Sequence, residues 1–333
     1  MTTLLEARYR TVLRMLPAYY RRAREEEMVE VYLWDVDQET QDQSRPTLGE
    51  VASVAALAVR SRLAAAGAPR RYALLGSAVR HFALYAVLLQ AAAIVSDEVL
   101  RVTWSATRGA HEWDIFLTGF TGSGPLPTVV AIAGWVLPLL WTVGFFALLH
   151  DRRRLARVAV VLAALPSLWP LIEPLVTDWP MSAPYFVTAN ALFAWLPALA
   201  VCAAYHRDAP PAALPFGTPG LAFLACCVVT GGSVALLPAM ADIAWAPATC
   251  FVLAVAGWLL LRARHAEPGA GEGALALAVL GLLILAVRTA SLLLWRGLPL
   301  PTVFLAGALA QAAALALLVV VLGAVARRDL TPR

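Results

Sequence analysis

The sequence predicts an all-α, polytopic membrane protein, with about eight transmembrane helices behind a small N-terminal domain of three helices. Three observations carry that prediction. The 333 residues are 60% hydrophobic and 14% charged, with a mean hydropathy of +0.71; ordinary soluble chains are about half apolar and about one-quarter charged. Eight runs reach the roughly 20 apolar residues a helix needs to cross hydrocarbon. Arginine is spread unevenly over the connections between those runs.

The eight runs are Ser77–Ser96, Leu126–Leu149, Leu155–Ile172, Tyr185–Tyr205, Gly220–Met240, Ile243–Leu261, Ala274–Trp295 and Pro301–Ala326. The weakest boundary is "PAMADIAWAP", between the fifth and the sixth. Merging those two would give a run too long for one crossing. Arg60, Arg62, Arg70, Arg71 and Arg80 precede or open the first run, and "HDRRRLAR" joins the second to the third. "HRD" follows the fourth, "RARH" the sixth, and "RRDLTPR" ends the chain. The alternate connections hold only Arg101, Arg108 and Arg296. Excess arginine marks the cytoplasmic side. Both termini are therefore expected in the cytoplasm, as an even number of crossings requires. All 26 basic residues are arginine, with no lysine, and alanine is abundant. That usage fits a GC-rich bacterial genome, hence the bacterial cytoplasmic (inner) membrane. No signal peptide is expected, because the first forty residues lack an apolar core of the required kind.

Before Ser77 the pattern changes. Leu5, Tyr9, Val12, Leu13 and Leu16 recur at helical spacing, and Glu6 and Arg10 form an i,i+4 pair. Pro17 ends this helix. A second helix runs from Ala18 to about Asp35, and "DQETQDQSRP" reads as a loop. "TLGE" fits a capping box, with Thr47 bonding forward and Glu50 reaching back. Leu48, Val51, Ala55, Ala58, Val59 and Leu63 then share one face. The expected small core is Leu5, Tyr9, Leu13, Leu16, Val51, Ala55 and Val59. The organisation is a helical prefix at 1–66, a linker at 67–76, an eight-span bundle at 77–326 and a tail at 327–333.

The net charge of +4 does not point to nucleic acid, because topology accounts for the arginines. Cys202, Cys226, Cys227 and Cys250 lie in apolar runs without metal-ligand or disulfide spacing, and read as small buried residues. His111, Glu112 and Asp114 are nonspecific as metal ligands. No metal or other cofactor is expected. A Gly-Lys-Ser/Thr phosphate loop, HExxH and Gly-x-Ser-x-Gly are all missing, so the expectation is a protein that is not an enzyme.

Arg288 lies inside the seventh run, where a charge must face protein or water and have a partner. Acids expected near the outer ends of the runs are Asp97, Glu98, Glu173 and Asp242; Glu173 and Asp242 are the expected partners of Arg288. The site is either an anion-binding or gating charge, or a structural pair, or an arginine that snorkels outward along Trp295. In the prefix, Arg8, Arg14, Arg21, Arg22 and Arg24 form a candidate face for a protein partner or for anionic lipid. Glu25, Glu26 and Glu27 are placed to neutralise Arg21 and Arg22 locally. Trp104, Trp169, Trp179, Trp245 and Trp295 fit an outer aromatic belt, and Trp104, Trp113, Ile115 and Phe116 suit a helix lying in the interface.

Three features of the prefix carry a likeness. They are Leu16-Pro17-Ala18 before Tyr19-Tyr20, the acidic run ending in Glu27-Met28, and Arg45-Pro46-Thr47-Leu48. With them, about the first 65 residues resemble the helical HAAS-type domain, also met as a permease prefix domain, which precedes membrane segments in many actinobacterial proteins. The resemblance implies a signalling or regulatory module, often encoded beside PadR-type transcription regulators. It brings no catalytic residue and leaves the spans without an assigned activity. The leading expectation is a membrane sensor or regulator whose prefix engages a cytoplasmic regulatory protein. The alternative is a transporter or permease component with a site near Arg288. An intramembrane lipid-modifying enzyme is a distant third.

Overall fold

The computed structural model describes residues 4–34, 45–63, 68–121, 125–176, 183–206, 209–210, 214, 218–264, 271–296 and 299–330. Among them there is no strand. Contacts divide the chain into two compact units, residues 1–79 with 203–210, and residues 80–202 with 211–333.

The first unit is built from α1 (Leu4–Leu13), α2 (Ala18–Trp34) and α3 (Leu48–Arg62). Its core is Tyr9, Leu13, Leu16, Val29, Val54 and Ala58, with Leu5 also fully buried. Tyr9 stacks on Tyr32 at 3.9 Å between ring centroids. Tyr32 donates in turn to Glu50 at 3.2 Å. The Tyr19 hydroxyl donates to the Ser61 carbonyl at 2.6 Å, and Arg62 donates to the Met15 carbonyl at 2.7 Å. These bonds occupy carbonyls near the C-terminal ends of α3 and α1. At the other end of α3 both halves of the Thr47–Glu50 capping box form.

The face that α3 buries differs from the expected one. Val54, Ala58 and Ser61 turn inward, Val51 and Ala55 are half-buried, and Val59 and Leu48 are exposed. A helix so rich in alanine and valine carries two overlapping apolar stripes, and the aromatic rings of α1 and α2 select between them.

The stretch expected as a linker, 67–76, is helical from Arg70 onward, because α4 runs unbroken from Arg70 to Thr107. Pro69 opens it, accepting from the amides of Tyr72 and Ala73, and nothing between Arg70 and Ser77 stops a helix. Arg70–Val79 group with the first unit, as do Ala203–Pro210 from the end of the fourth span onward.

The second unit holds the rest of α4, then α5 (Ala110–Thr121), α6 (Pro125–Val136), α7 (Leu140–Leu149), α8 (Arg153–Ala164), α9 (Trp169–Val176), α10 (Pro184–Ala204), α11 (Pro219–Leu236), α12 (Trp245–Arg264), α13 (Gly271–Leu294) and α14 (Thr302–Leu330). Among the described residues, eight helices, counting α6 with α7 and α8 with α9 as single spans, are long and apolar enough to cross a membrane. Pro138 and Pro166 each turn the middle of a span into a short 3₁₀ segment, Leu137–Leu139 and Leu165–Leu168. Pro238 ends the fifth span early, at Leu236, and starts the 3₁₀ turn Pro238–Met240, so the two spans with the weakest boundary are separate helices.

α7 and α8 touch so closely that a methyl on Gly144 would lie 2.6 Å from Val160 Cγ1. α13 is the central helix of its neighbourhood, burying twelve residues from Gly271 to Ser291. Gly281 packs against Val319, and Trp295 meets Phe304 at 6.2 Å. Those two contacts set the α13–α14 register and put Arg288 level with Gln311.

Candidate functional site

Arg288 lies six residues before the end of α13, about 9 Å along the helix. It is fully buried. Asp242 lies in the short connection before α12, its side chain 5% exposed. Its carbonyl accepts from the Trp245 amide at 3.0 Å, which starts that helix. The carboxylate therefore sits at the positive end of the α12 dipole as well as beside the guanidinium. One Arg288 nitrogen, Nη1, donates to both Asp242 oxygens at 2.6 and 2.7 Å, and reaches the Ser291 hydroxyl at 3.5 Å. Nε and Nη2 are buried without a hydrogen-bond partner among the described residues. The pair is neutral, and three of the guanidinium's five N–H donors have no partner among the described residues.

Level with it, Gln311 on α14 donates to the Trp245 carbonyl at 3.1 Å and to Thr249 at 2.8 Å. Its Oε1 is buried and unpartnered among the described residues. The Trp245 indole donates to the Ser233 carbonyl at 3.2 Å. α11, α12 and α14 are thus tied by polar bonds near the depth at which Arg288 and Asp242 join α13 to the start of α12. A second polar contact links α4 to α11. Ser96 bonds Thr230 at 2.6 Å and donates to the Cys227 carbonyl at 3.1 Å. Glu98, nearby on α4, is 7% exposed, and its Oε2 has no partner among the described residues.

Of the two acids expected beside Arg288, the structure brings Asp242 to it and leaves Glu173 exposed on α9. Asp97 forms a helical pair with Arg101 at 2.8 Å. Trp245 is buried at 7% exposure, so it is a packing residue and not part of a lipid-facing belt; its neighbour Asp242 anchors that end of α12. Trp104 is exposed with the Arg108 guanidinium 3.8 Å above its ring, and Trp179 falls outside the described residues. His111, Glu112 and Asp114 are all exposed on α5, and among the described residues no group of three His, Cys, Asp or Glu side chains could hold a metal ion.

In the prefix, Arg14, Arg22 and Arg24 are exposed, and Arg8 and Arg21 are half-buried. The acids of α2 do not pair with Arg21 and Arg22 as expected. Arg10 collects Glu6 at 3.0 Å, Glu26 at 2.8 Å and Glu25 at 3.9 Å, while Arg24 takes Glu27 at 3.5 Å. Arg10 was legible only as half of the i,i+4 pair with Glu6; its reach to α2 needed the α1–α2 packing. These bonds hold the Glu26 carboxyl below the usual carboxylate range, mainly through the hydrogen bond from Arg10. Burial raises the Tyr32 hydroxyl to about 12, with Glu50 adding to the effect.

Fold and composition together define an integral membrane protein. Comparison with known protein families, with curated proteins and with solved structures finds no match for the chain.

Proposed function

We propose that this is a membrane regulatory protein whose helical prefix engages a cytoplasmic protein through its arginine face, with the eight spans as its membrane-embedded body and both termini in the cytoplasm. One observation carries the reading. The prefix folds around its own core and uses its acids internally, on Arg10 and Arg24, so Arg14 and Arg22 stay exposed without an ion pair among the described residues. Such a face suits an acidic partner surface, where charge sets the encounter rate and the orientation. The likeness of the prefix to HAAS-type regulatory domains supports the same reading, as does the self-neutralised Arg288–Asp242 pair. A photo-crosslinking residue at Ala23, beside Arg22, in the full-length protein in cells tests it. The expected product is a discrete adduct to one protein, lost in Arg14→Glu/Arg22→Glu. Adducts to lipid alone would refute the partner and leave a membrane-binding face.

The transporter reading draws on a different feature, two sets of unused polar atoms at a similar level of the bundle, Nε and Nη2 of Arg288 on α13 and Oε1 of Gln311 on α14. A substrate with adjacent acceptor and donor groups would complete both. Under that reading Gln311→Leu abolishes uptake and leaves the prefix crosslink intact.

A further inference from the structure

A cleft of about 280 Å³ opens between α4, α11, α12 and α13, with Phe251 in its wall. Ala225 and Ala254 line it and are exposed; Cys226 and Cys250 face it from α11 and α12; Tyr85 and Trp258 stand at one end. At 1.5 Å per residue, Trp258 lies about 9 Å and Cys250 about 21 Å from the arginine-bearing end of α12, so the cleft occupies the hydrocarbon of about one leaflet. The volume has room for about nine groups the size of a water or methylene, at about 30 Å³ each.

Above Trp258 sits a polar group with a donor to spare. The Arg262 guanidinium lies 5.5 Å from the centre of the Trp258 ring and bonds Asp329 of α14 through Nη2. Its Nη1 is buried and has no partner among the described residues. A methyl on Gly273 would lie 3.8 Å from the Tyr85 hydroxyl, which places that hydroxyl beside the start of α13, toward the same end. Hydrocarbon-lined space with a guanidinium donor one ring above it suits an acyl chain carrying an anionic headgroup, and a phosphodiester is the anion that membrane lipids supply in bulk. The apolar mid-section of a helix from another chain has its carbonyls bonded within itself and would bring no free acceptor to Nη1.

We infer that this cleft holds one phospholipid, its acyl chain along Ala225, Ala254 and Trp258 and its phosphate on Arg262 Nη1. Asp329 competes with the phosphate for the same guanidinium, so it tunes the site downward. The test uses the full-length protein, exchanged into detergent and titrated separately with phosphatidylglycerol and with diacylglycerol of the same chains, with bound lipid counted by native mass spectrometry. One phosphatidylglycerol per chain should resist detergent exchange. Ala225→Phe should lower its retention at least fivefold with the melting temperature unchanged; should that variant fail to fold, Ala254→Leu is the second filler. Arg262→Gln should lower phosphatidylglycerol retention at least threefold and leave diacylglycerol untouched, and Asp329→Asn should raise phosphatidylglycerol retention. Equal lipid counts in all variants would overturn the inference. Displacement of the lipid by inorganic phosphate alone would overturn it too, as would a filler that changes the oligomeric state and not the lipid count.

Discussion

At Arg288 a full charge sits at zero exposure, held by one carboxylate. Removing either partner strands the other in a medium that solvates it poorly, a loss of about 3–5 kcal/mol for a buried pair. Arg288→Leu should therefore lower the thermal unfolding temperature in detergent by a large margin, and adding Asp242→Asn should recover part of it. An Arg288→Leu protein as stable as the parent would show that the pair contributes little. Much of this site was legible in the sequence, because an arginine inside an apolar run must have a partner and few acids stand at that depth. The choice of Asp242 over Glu173 was not, since it depends on Pro238 ending α11 early and turning Asp242 inward at the start of α12. The bonds from Gln311 to the Trp245 carbonyl and Thr249 follow from how α14 packs on α12, which periodicity does not encode.

Among the elements, α7 and α8 show how a small residue sets a helix–helix distance. Gly144→Ala brings a methyl to 2.6 Å from Val160 Cγ1 and forces the pair apart. Overpacking of this kind costs about 1–3 kcal/mol. The variant should unfold at a lower temperature, and Val160→Ala in the same chain should restore most of the loss; additive losses would mean that the two sites do not meet. In the prefix, the link between α1 and α2 is electrostatic and has a pH signature. The folded Glu26 carboxyl titrates below its ordinary 4.5, so its contribution is complete above that value and disappears as pH falls through the lower, folded value. Tyr32 behaves in the opposite sense: its contribution is complete below pH 10 and is lost as pH rises toward about 12. Amide exchange in α1 and α2 of the full-length protein should accelerate at both extremes and stay flat between about pH 5 and 9. Acceleration centred near neutrality would contradict both assignments. The α3 cap was readable from four letters, Thr47 to Glu50, because a cap is a local chemical pattern. The buried face of α3 was not, because two stripes of similar apolarity leave the choice to residues distant in sequence.

For the whole molecule, the number of spans and their order follow from runs of apolar residues, which lipid enforces on any chain that crosses it. The proposed orientation has a direct test. In a background without native cysteines, a membrane-impermeant thiol reagent added outside should modify Thr121→Cys and spare Arg153→Cys, and the reverse pattern would invert the protein. What composition could not reveal is how far helices run past the hydrocarbon. α4 begins at Arg70 and ends at Thr107, well beyond its apolar centre on both sides, because nothing between Pro69 and Gly109 breaks it and the i,i+4 pair of Asp97 and Arg101 supports its far end.

The Arg288–Asp242 pair also constrains how the protein is made. A ribosome delivers α12 and its leading acid before α13, and the two ionic residues are 46 positions apart. An isolated α13 carries a charge whose transfer into lipid is unfavourable, by up to about 2.5–3.5 kcal/mol for a residue at the helix centre and less toward its end. With Asp242 already waiting at the translocon exit, α12 and α13 can enter the bilayer together as a neutral hairpin. The acid thus serves the nascent chain before it serves the finished one, and a chain lacking it would leave its seventh span lingering at the insertion machinery.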